Sequence, residues 1–392
     1  MLDEDASSLT RSLEKELREI EARGQLRSLK IPAGINFCSN DYLGLATNPA
    51  LRAAVVDAVA RAERVASTGS RLLAGNAREW EELEHEFADF ARTDAALYFT
   101  SGYAANVGLL SAVAGRGDII FSDAANHASL IDGARISGAE KVVFPHADLE
   151  ALESALRDRA GQPARKLVVT ESVFSMDGDL APLGEMTALA KQYGAEMVVD
   201  EAHATGVFGP EGQGRVAELG LEDEIFAVVH MCGKALASAG AFVCGGATLK
   251  NYLINRARTF LFSTALPPYF AEQIRAALSL ARGADAERSR LRAIARKLRE
   301  DLRAGGWDTG KSASQIVPVL LGENDVAMRI AAELAREGFA VRAIRPPTVA
   351  EGTARLRLSL NCGLKDEELA GFVRAMAGAR EMVGAVGGER TK

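Results

Sequence analysis

A chain of 392 residues with 46 Lys and Arg against 53 Asp and Glu carries a formal charge of −7, and so mildly acidic a chain without a basic stripe is a poor partner for nucleic acid. Its longest apolar runs, such as Ile225-Phe226-Ala227-Val228-Val229, fall far short of the roughly 20 residues that cross a bilayer. The four cysteines, at 38, 232, 244 and 362, form no CxxC pair, which excludes a disulfide framework or a zinc cluster and predicts four small buried residues.

The first five residues are acidic and lack a charged-then-apolar leader pattern, so the chain is expected to be cytoplasmic. Residues 8–29 repeat apolar side chains at Leu9, Leu13, Leu17 and Ile20, a helical spacing with charged faces between. Ile35-Asn36-Phe37-Cys38 then reads as a short strand running into a turn at Ser39-Asn40-Asp41. From about 50 to 305, helical stretches at 51–64, 78–91, 103–114, 147–159 and 183–193 alternate with short β-rich runs. Those runs lie at 96–99, 118–121, 141–144, 166–170, 197–199, 227–229 and 240–244. The alternation predicts a mostly parallel sheet covered on both faces. After a long helical region at 268–305, strand-like runs at 315–321, 339–344 and 354–360 predict a smaller α+β unit built with the N-terminal helix. The expected division is an arm at 1–45, a large α/β domain at 46–285 and a small C-terminal domain at 286–392.

In open α/β sheets ligands sit at the carboxyl ends of the strands, so the residues that follow each run matter most. After 96–99 comes Thr100-Ser101-Gly102-Tyr103, a small-residue turn opening a helix, whose free N–H groups and positive dipole end suit a phosphate. An ordinary capped helix has the same signature, so this turn alone decides nothing. Three of the five histidines fall just past a strand, at His127, His203 and His230. Asp200 directly follows an apolar strand, where burial demands a cationic partner. Lys234 lies in a small-residue loop, where an amine can have a depressed pKa and act as a nucleophile. A phosphate cradle, a buried Asp and a Lys at neighbouring strand ends describe a pyridoxal phosphate site; an ordinary Asp200–Lys234 ion pair is the other reading.

Rival motifs fit poorly. Gly212-Gln213-Gly214-Arg215-Val216-Ala217 follows Pro210-Glu211 rather than the strand a dinucleotide fingerprint needs. Gly233-Lys234 lacks the glycine of a phosphate-binding Walker loop, and no HExxH occurs. Nine segments, by contrast, resemble the α-oxoamine synthase family of fold-type I pyridoxal phosphate enzymes. They include Ser39-Asn40-Asp41-Tyr42-Leu43-Gly44, Thr68-Gly69-Ser70-Arg71-Leu72, Ser101-Gly102-Tyr103-Ala104-Ala105-Asn106, Asn126-His127-Ala128-Ser129, Phe174-Ser175-Met176-Asp177-Gly178-Asp179, Asp200-Glu201-Ala202-His203, Gly233-Lys234-Ala235 and Ile344-Arg345-Pro346-Pro347-Thr348-Val349. The resemblance runs from about residue 9 to 378.

The resemblance implies an α/β, fold-type I transferase with a mostly parallel seven-stranded sheet plus a smaller α+β C-terminal domain, working as a homodimer with pyridoxal 5'-phosphate. It implies that Lys234 joins the cofactor covalently and then serves as acid and base, and that Asp200 pairs with the ring nitrogen. His203 would bond the ring's 3-oxygen with Ser175 nearby, and His127 would stack on the ring beside the substrate. Ser101, Gly102 and Tyr103 would hold the phosphate, with Thr264 reaching the partner subunit's phosphate. Asn40 and Arg357 would take the amino acid's carboxylate, and Arg27 and Thr348 the acyl substrate. One departure is Met231, three residues before Lys234, where the family carries a Thr or Ser that binds phosphate; a thioether donates no hydrogen bond. The implied reaction is decarboxylative condensation of an amino acid, L-alanine favoured, with an acyl-CoA or carrier-protein thioester, pimeloyl favoured, in biotin biosynthesis. A glycine-using sister enzyme, a soluble serine palmitoyltransferase and a catalytically weakened paralogue stay open as alternatives.

Overall fold

Twelve strands and the helices between them are seen in a computed structural model that describes residues 7–29 and 31–389; the acidic start at 1–5 lies outside the described residues. The strands are β1 Ile35–Asn36, β2 Ala95–Phe99, β3 Ile119–Asp123, β4 Glu140–Phe144, β5 Lys166–Glu171 and β6 Glu196–Asp200, followed by β7 Ala227–Met231, β8 Ala241–Gly245, β9 Ile316–Gly322, β10 Phe339–Ala340, β11 Arg342–Ile344 and β12 Ala354–Ser359.

β2 to β8 form one seven-stranded sheet in the order β2-β8-β7-β6-β5-β3-β4. Its pairs are parallel except those that β8 makes with β7 and β2. The side-chain period of two explains why the central strands are continuously apolar. Val169, Val198 and Val229 enter one core with Leu97, Leu109 and Leu130. Their neighbours Val168, Val199 and Val228 enter the opposite core with Leu152, Leu156 and Leu183. Helices Gly102–Val113 and Ala128–Ser137 cover the first face, and Leu149–Arg157 and Leu183–Gln192 the second.

The lone reversed strand has a consequence for chemistry. β7 leaves the sheet at Met231 and β8 returns opposite it at Ala241, so the loop between them, with Lys234, lies on the edge where β2, β3, β5 and β6 end. The C-terminal unit is an antiparallel sheet, β11-β12-β9, and β1 pairs in parallel with β10, Ile35 opposite Phe339, which ties the arm to this unit. The two sheets meet at the 173–180 segment. There Gly178, at φ +67°, lies so close to the Ile316 carbonyl that a Cβ would collide with it.

Four expectations change. The 339–344 run is two strands in different sheets, because the chain crosses between them at Val341. The N-terminal helix ends at Ala22, before Gly24 at φ +63°. The 268–305 region is two helices, Tyr269–Arg282 and Asp285–Ala304, parted at Gly283. All four thiols are free, but only Cys232 and Cys244 are buried; Cys38 and Cys362 are partly exposed.

Candidate active site

Ser101 follows β2 and caps helix Gly102–Val113, its Oγ accepting from the Ala104 N–H at 3.1 Å. The Gly102 and Tyr103 N–H groups fall in the first turn, where no helix carbonyl can receive them, and the helix dipole adds a positive end. The Met231 thioether lies against Gly102, in the space a Cβ would need. His127 sits after β3 and caps helix Ala128–Ser137; its Nδ1 accepts from the Ser129 N–H at 3.2 Å and lies 2.8 Å from Ser129 Oγ.

Asp200 ends β6 and is 2% exposed. Its Oδ2 accepts from Asn106 Nδ2 at 2.7 Å and its Oδ1 from the Ala202 N–H at 2.8 Å. Asn106 also donates to Ser129 Oγ at 2.9 Å, so His127, Ser129, Asn106 and Asp200 form one chain of contacts. Both carboxylate oxygens of Asp200 thus have a donor despite their burial. Glu171 ends β5 in register with Asp200. It is fully buried, and its Oε1 has no hydrogen-bond partner among the described residues. Burial, reinforced by the Asp200 charge, pushes its carboxyl up to about 8.

Lys234 Nζ lies 2.9 Å from His203 Nε2, and His203 Nδ1 lies 2.6 Å from Tyr42 Oη. Tyr42 donates on to Asn40 Oδ1 at 3.2 Å. That oxygen also accepts from Arg357 Nη1 and Nη2, both at 3.2 Å, and from Ser359 Oγ at 2.8 Å. Burial pushes the Lys234 amine down to about 8, while the charges of Asp200 and Glu171 hold it up. Burial, then the charges of Lys234, Arg357 and His127, depresses His203 well below the ordinary histidine range. The pattern therefore assigns directions: an ammonium at Lys234 donates to Nε2, the neutral ring donates from Nδ1 to Tyr42, and Tyr42 donates to Asn40.

Ser101, Gly102, Tyr103, His127, Asp200, His203 and Lys234 line one cavity of about 370 Å³, so the structure brings together seven of the thirteen residues expected from the sequence. Asn40 and Arg357 join it through Tyr42 and His203. Ser175, 8% exposed, is not among the lining residues; its carbonyl receives Arg357 Nε. Thr264 pairs instead with Ser70 in an isolated bridge, and Arg27 donates to Thr348 Oγ1 at 3.2 Å, neither of the two being among the lining residues. Reading the sequence missed Tyr42, Asn106 and Glu171 as site members. All three lie in or beside segments it singled out, but their roles depend on partners far away in the chain.

The donor set fits pyridoxal 5'-phosphate. It offers helix N–H groups for a phosphate, a buried carboxylate for a ring nitrogen, imidazoles for the ring, and an amine whose pKa lies near neutrality. The cradle departs from that fit only at Met231, which adds no donor.

The family model of class I and II aminotransferases matches residues 32–376. The chain is 44% identical to the 8-amino-7-oxononanoate synthase of Geobacter sulfurreducens, over 96% of this chain and 100% of that one. It is 46% identical to the 8-amino-7-oxononanoate synthase of Methylococcus capsulatus, over 88% and 89% of the two chains. Among solved structures, a serine palmitoyltransferase from S. paucimobilis with a bound PLP–myriocin aldimine matches with a TM-score of 0.89 and 32% identity, covering 97% of this chain and 100% of that one. The 8-amino-7-oxononanoate synthase from Francisella tularensis matches with a TM-score of 0.77 and 27% identity, over 89% and 98%.

Proposed function

The chain belongs to the class I and II aminotransferase family and, within it, to the α-oxoamine synthases, and on that footing we propose that it condenses L-alanine with a pimeloyl thioester, releasing CoA and CO2, in biotin biosynthesis. It is an acyltransferase of the 8-amino-7-oxononanoate synthase type that uses pyridoxal 5'-phosphate. The observation that carries the site reading is the Lys234–His203 contact at 2.9 Å in the cavity that Asp200 and the Gly102 helix end also line.

Lys234 is the residue proposed to hold the cofactor and to move the proton at the amino acid's Cα. Its amine, pushed down to about 8, both binds and releases a proton near neutral pH, as such an acid–base group must. When bound, the cofactor supplies a sink for the electron pair left at Cα. Asp200 would face the ring nitrogen and keep it charged. His203 would bond the ring oxygen, with Ser175 nearby. His127 would cover the ring, and Ser101, Gly102 and Tyr103 would bind the phosphate. Asn40 and Arg357 would hold the substrate carboxylate; Arg357 is already oriented by Asn40 and the Ser175 carbonyl, so its fork need not be ordered on binding. Arg27 and Thr348 are assigned to the acyl chain.

A homodimer is part of this reading. Thr264 would serve the partner's phosphate, and the exposed apolar side chains of Leu73 (84%) and Phe262 (72%) near it suit an interface. The division into an arm to 45, a large domain at 46–285 and a small one at 286–392 is proposed with it, supported by the confinement of each large sheet to one of the two units. Cytoplasmic residence is likewise proposed; among the described residues no helix is long and apolar enough to cross a membrane.

A second reading, an L-serine-using enzyme, has the 0.89 match to serine palmitoyltransferase in its favour. An activity matrix decides: cofactor-loaded protein with L-alanine, glycine or L-serine against pimeloyl-CoA and longer acyl-CoAs, read as CoA release. L-alanine with pimeloyl-CoA is expected to give the highest kcat/KM. Equal rates with all three amino acids contradict the alanine assignment, and preference for L-serine with a long chain establishes the second reading.

A further inference from the structure

His230, expected past a strand, is instead a buried residue within β7, but another histidine past a strand end forms a cluster outside the cavity. His146 follows β4, with its Nδ1 2.9 Å from Asp123 Oδ1 and its Nε2 2.7 Å from Asp179 Oδ2. A neutral imidazole has one N–H and cannot donate to two carboxylates, so this geometry requires the charged ring. Burial opposes the charge, but the hydrogen bonds and charges of Asp123 and Asp179 outweigh it and push the ring up to about 10. Asp123, at the end of β3, is fixed by the Ala125 N–H at 2.8 Å and the Ala147 N–H at 2.9 Å. The His146 and Phe174 rings meet nearly at right angles, 4.2 Å between centroids.

Asp179 belongs to the 173–180 segment, which is closed by a Val173–Leu180 bridge and by the Phe174 N–H donating to the Asp179 carbonyl at 3.0 Å. Its other side meets the C-terminal unit. The Ser175 carbonyl receives Arg357 Nε, Asp177 pairs with Arg355, and the Gly178 carbonyl receives the Ala313 N–H at 3.0 Å. The segment is thus held by His146 on the large-sheet side and holds the β12 arginines on the other.

We infer that His146 is a positioning residue: bridging Asp123 and Asp179, it fixes the 173–180 segment and through it the orientation of Arg357 that receives the amino acid's carboxylate. The inference rests on the role given to Arg357 above. Neither His146 nor its two carboxylate partners lines the cofactor cavity, and neither does Ser175, whose carbonyl holds Arg357, so the effect falls chiefly on the amino acid. A guanidinium that must first be ordered gives up part of its binding energy to that ordering, a loss that raises the amino acid's KM and leaves the chemical step alone.

The test uses cofactor-loaded protein and compares wild type with His146→Gln, which removes the charge, and His146→Lys, which restores a cation. Steady-state kinetics, cofactor retention on dialysis, and amide hydrogen exchange of 173–180 are measured on each. His146→Gln is expected to raise the amino-acid KM about tenfold while kcat and the acyl-thioester KM stay within about twofold. Cofactor retention should be unchanged, exchange at 173–180 faster, and His146→Lys should recover most of the loss. Should His146→Gln not fold, Asp179→Asn removes one end of the bridge and is read in the same way. An unchanged amino-acid KM overturns the inference, and so does a parallel loss of KM, kcat and cofactor retention, the sign of general disruption. If the wild type itself releases no CoA in response to L-alanine, glycine or L-serine, the reading of Arg357 falls and this inference with it; an unchanged variant of an active wild type overturns the inference alone.

Discussion

Replacing Asp200 with Asn probes the electrostatics on which the site depends. Asp200 is 2% exposed, and its charge opposes the burial that pushes the Lys234 amine down to about 8. The Asp200→Asn change keeps the side chain's shape. The amide nitrogen it introduces would face the Asn106 donor now 2.7 Å from Asp200 Oδ2, but the Asn106 Oδ1 has no partner and a flipped amide can accept from the new donor. The fold should therefore survive while one buried negative charge disappears. An opposite charge a few ångströms away moves a buried pKa by about one to three units. The low end applies here, because removing Asp200 also lifts the repulsion that helps hold Glu171 near 8, and a more readily ionised Glu171 takes over part of the task. The expected fall in the Lys234 midpoint is about one unit, or roughly 1.4 kcal/mol. Competitive acylation of cofactor-free protein across pH, read by mass spectrometry of the peptide carrying residue 234, measures it. A Glu171→Gln change on top of it should lower the midpoint again. A midpoint that stays or rises in Asp200→Asn would refute the proposed coupling.

Other expectations follow from single contacts. Met231→Thr places a hydroxyl where the thioether now touches Gly102, and one hydrogen bond to a charged phosphate should tighten pyridoxal phosphate binding about three- to tenfold in an absorbance titration; unchanged or weaker binding contradicts the placement. Gly178→Ala combines a left-handed backbone with a Cβ driven into the Ile316 carbonyl, so denaturant unfolding should show a loss of about 2 kcal/mol or more, and a loss below about 0.5 contradicts the close approach. The raised pKa of His146 stabilises the fold fully below its ordinary 6.5, and that contribution is lost as pH rises through about 10. The stability gap between wild type and His146→Gln should accordingly shrink from pH 6.5 to pH 10; a constant gap would show that the ring is not charged.

Much of the fold could be read from the chain because period and position agree. Val168-Val169, Val198-Val199 and Val228-Val229 each send one side chain to either face of the sheet, and that forces uninterrupted apolar runs, the sign by which the strands were expected. Boundaries failed where tertiary contacts override local pattern. Helix Ala128–Ser137 was not expected: it starts from a histidine cap and carries Gly133, whose missing side chain lets the helix approach the Asn106 carbonyl, with 3.0 Å left to a Cβ. Nothing local in the sequence announces that approach. The site was legible as segments and not as a network. Lys234, Asp200, His127 and His203 stood out because each follows an apolar run. Tyr42 did not, because its partner His203 is 161 residues away, and His146 did not, because a ring between two carboxylates is created by three separate strand ends.

The central claim is that one amine, that of Lys234, holds the cofactor in the cavity lined by Asp200 and His203. Borohydride reduction of the holoprotein, followed by peptide mapping, tests it directly. A phosphopyridoxyl adduct is predicted on the Lys234 peptide alone and is absent from Lys234→Ala. An adduct on another lysine, or undiminished labelling of Lys234→Ala, would contradict the account.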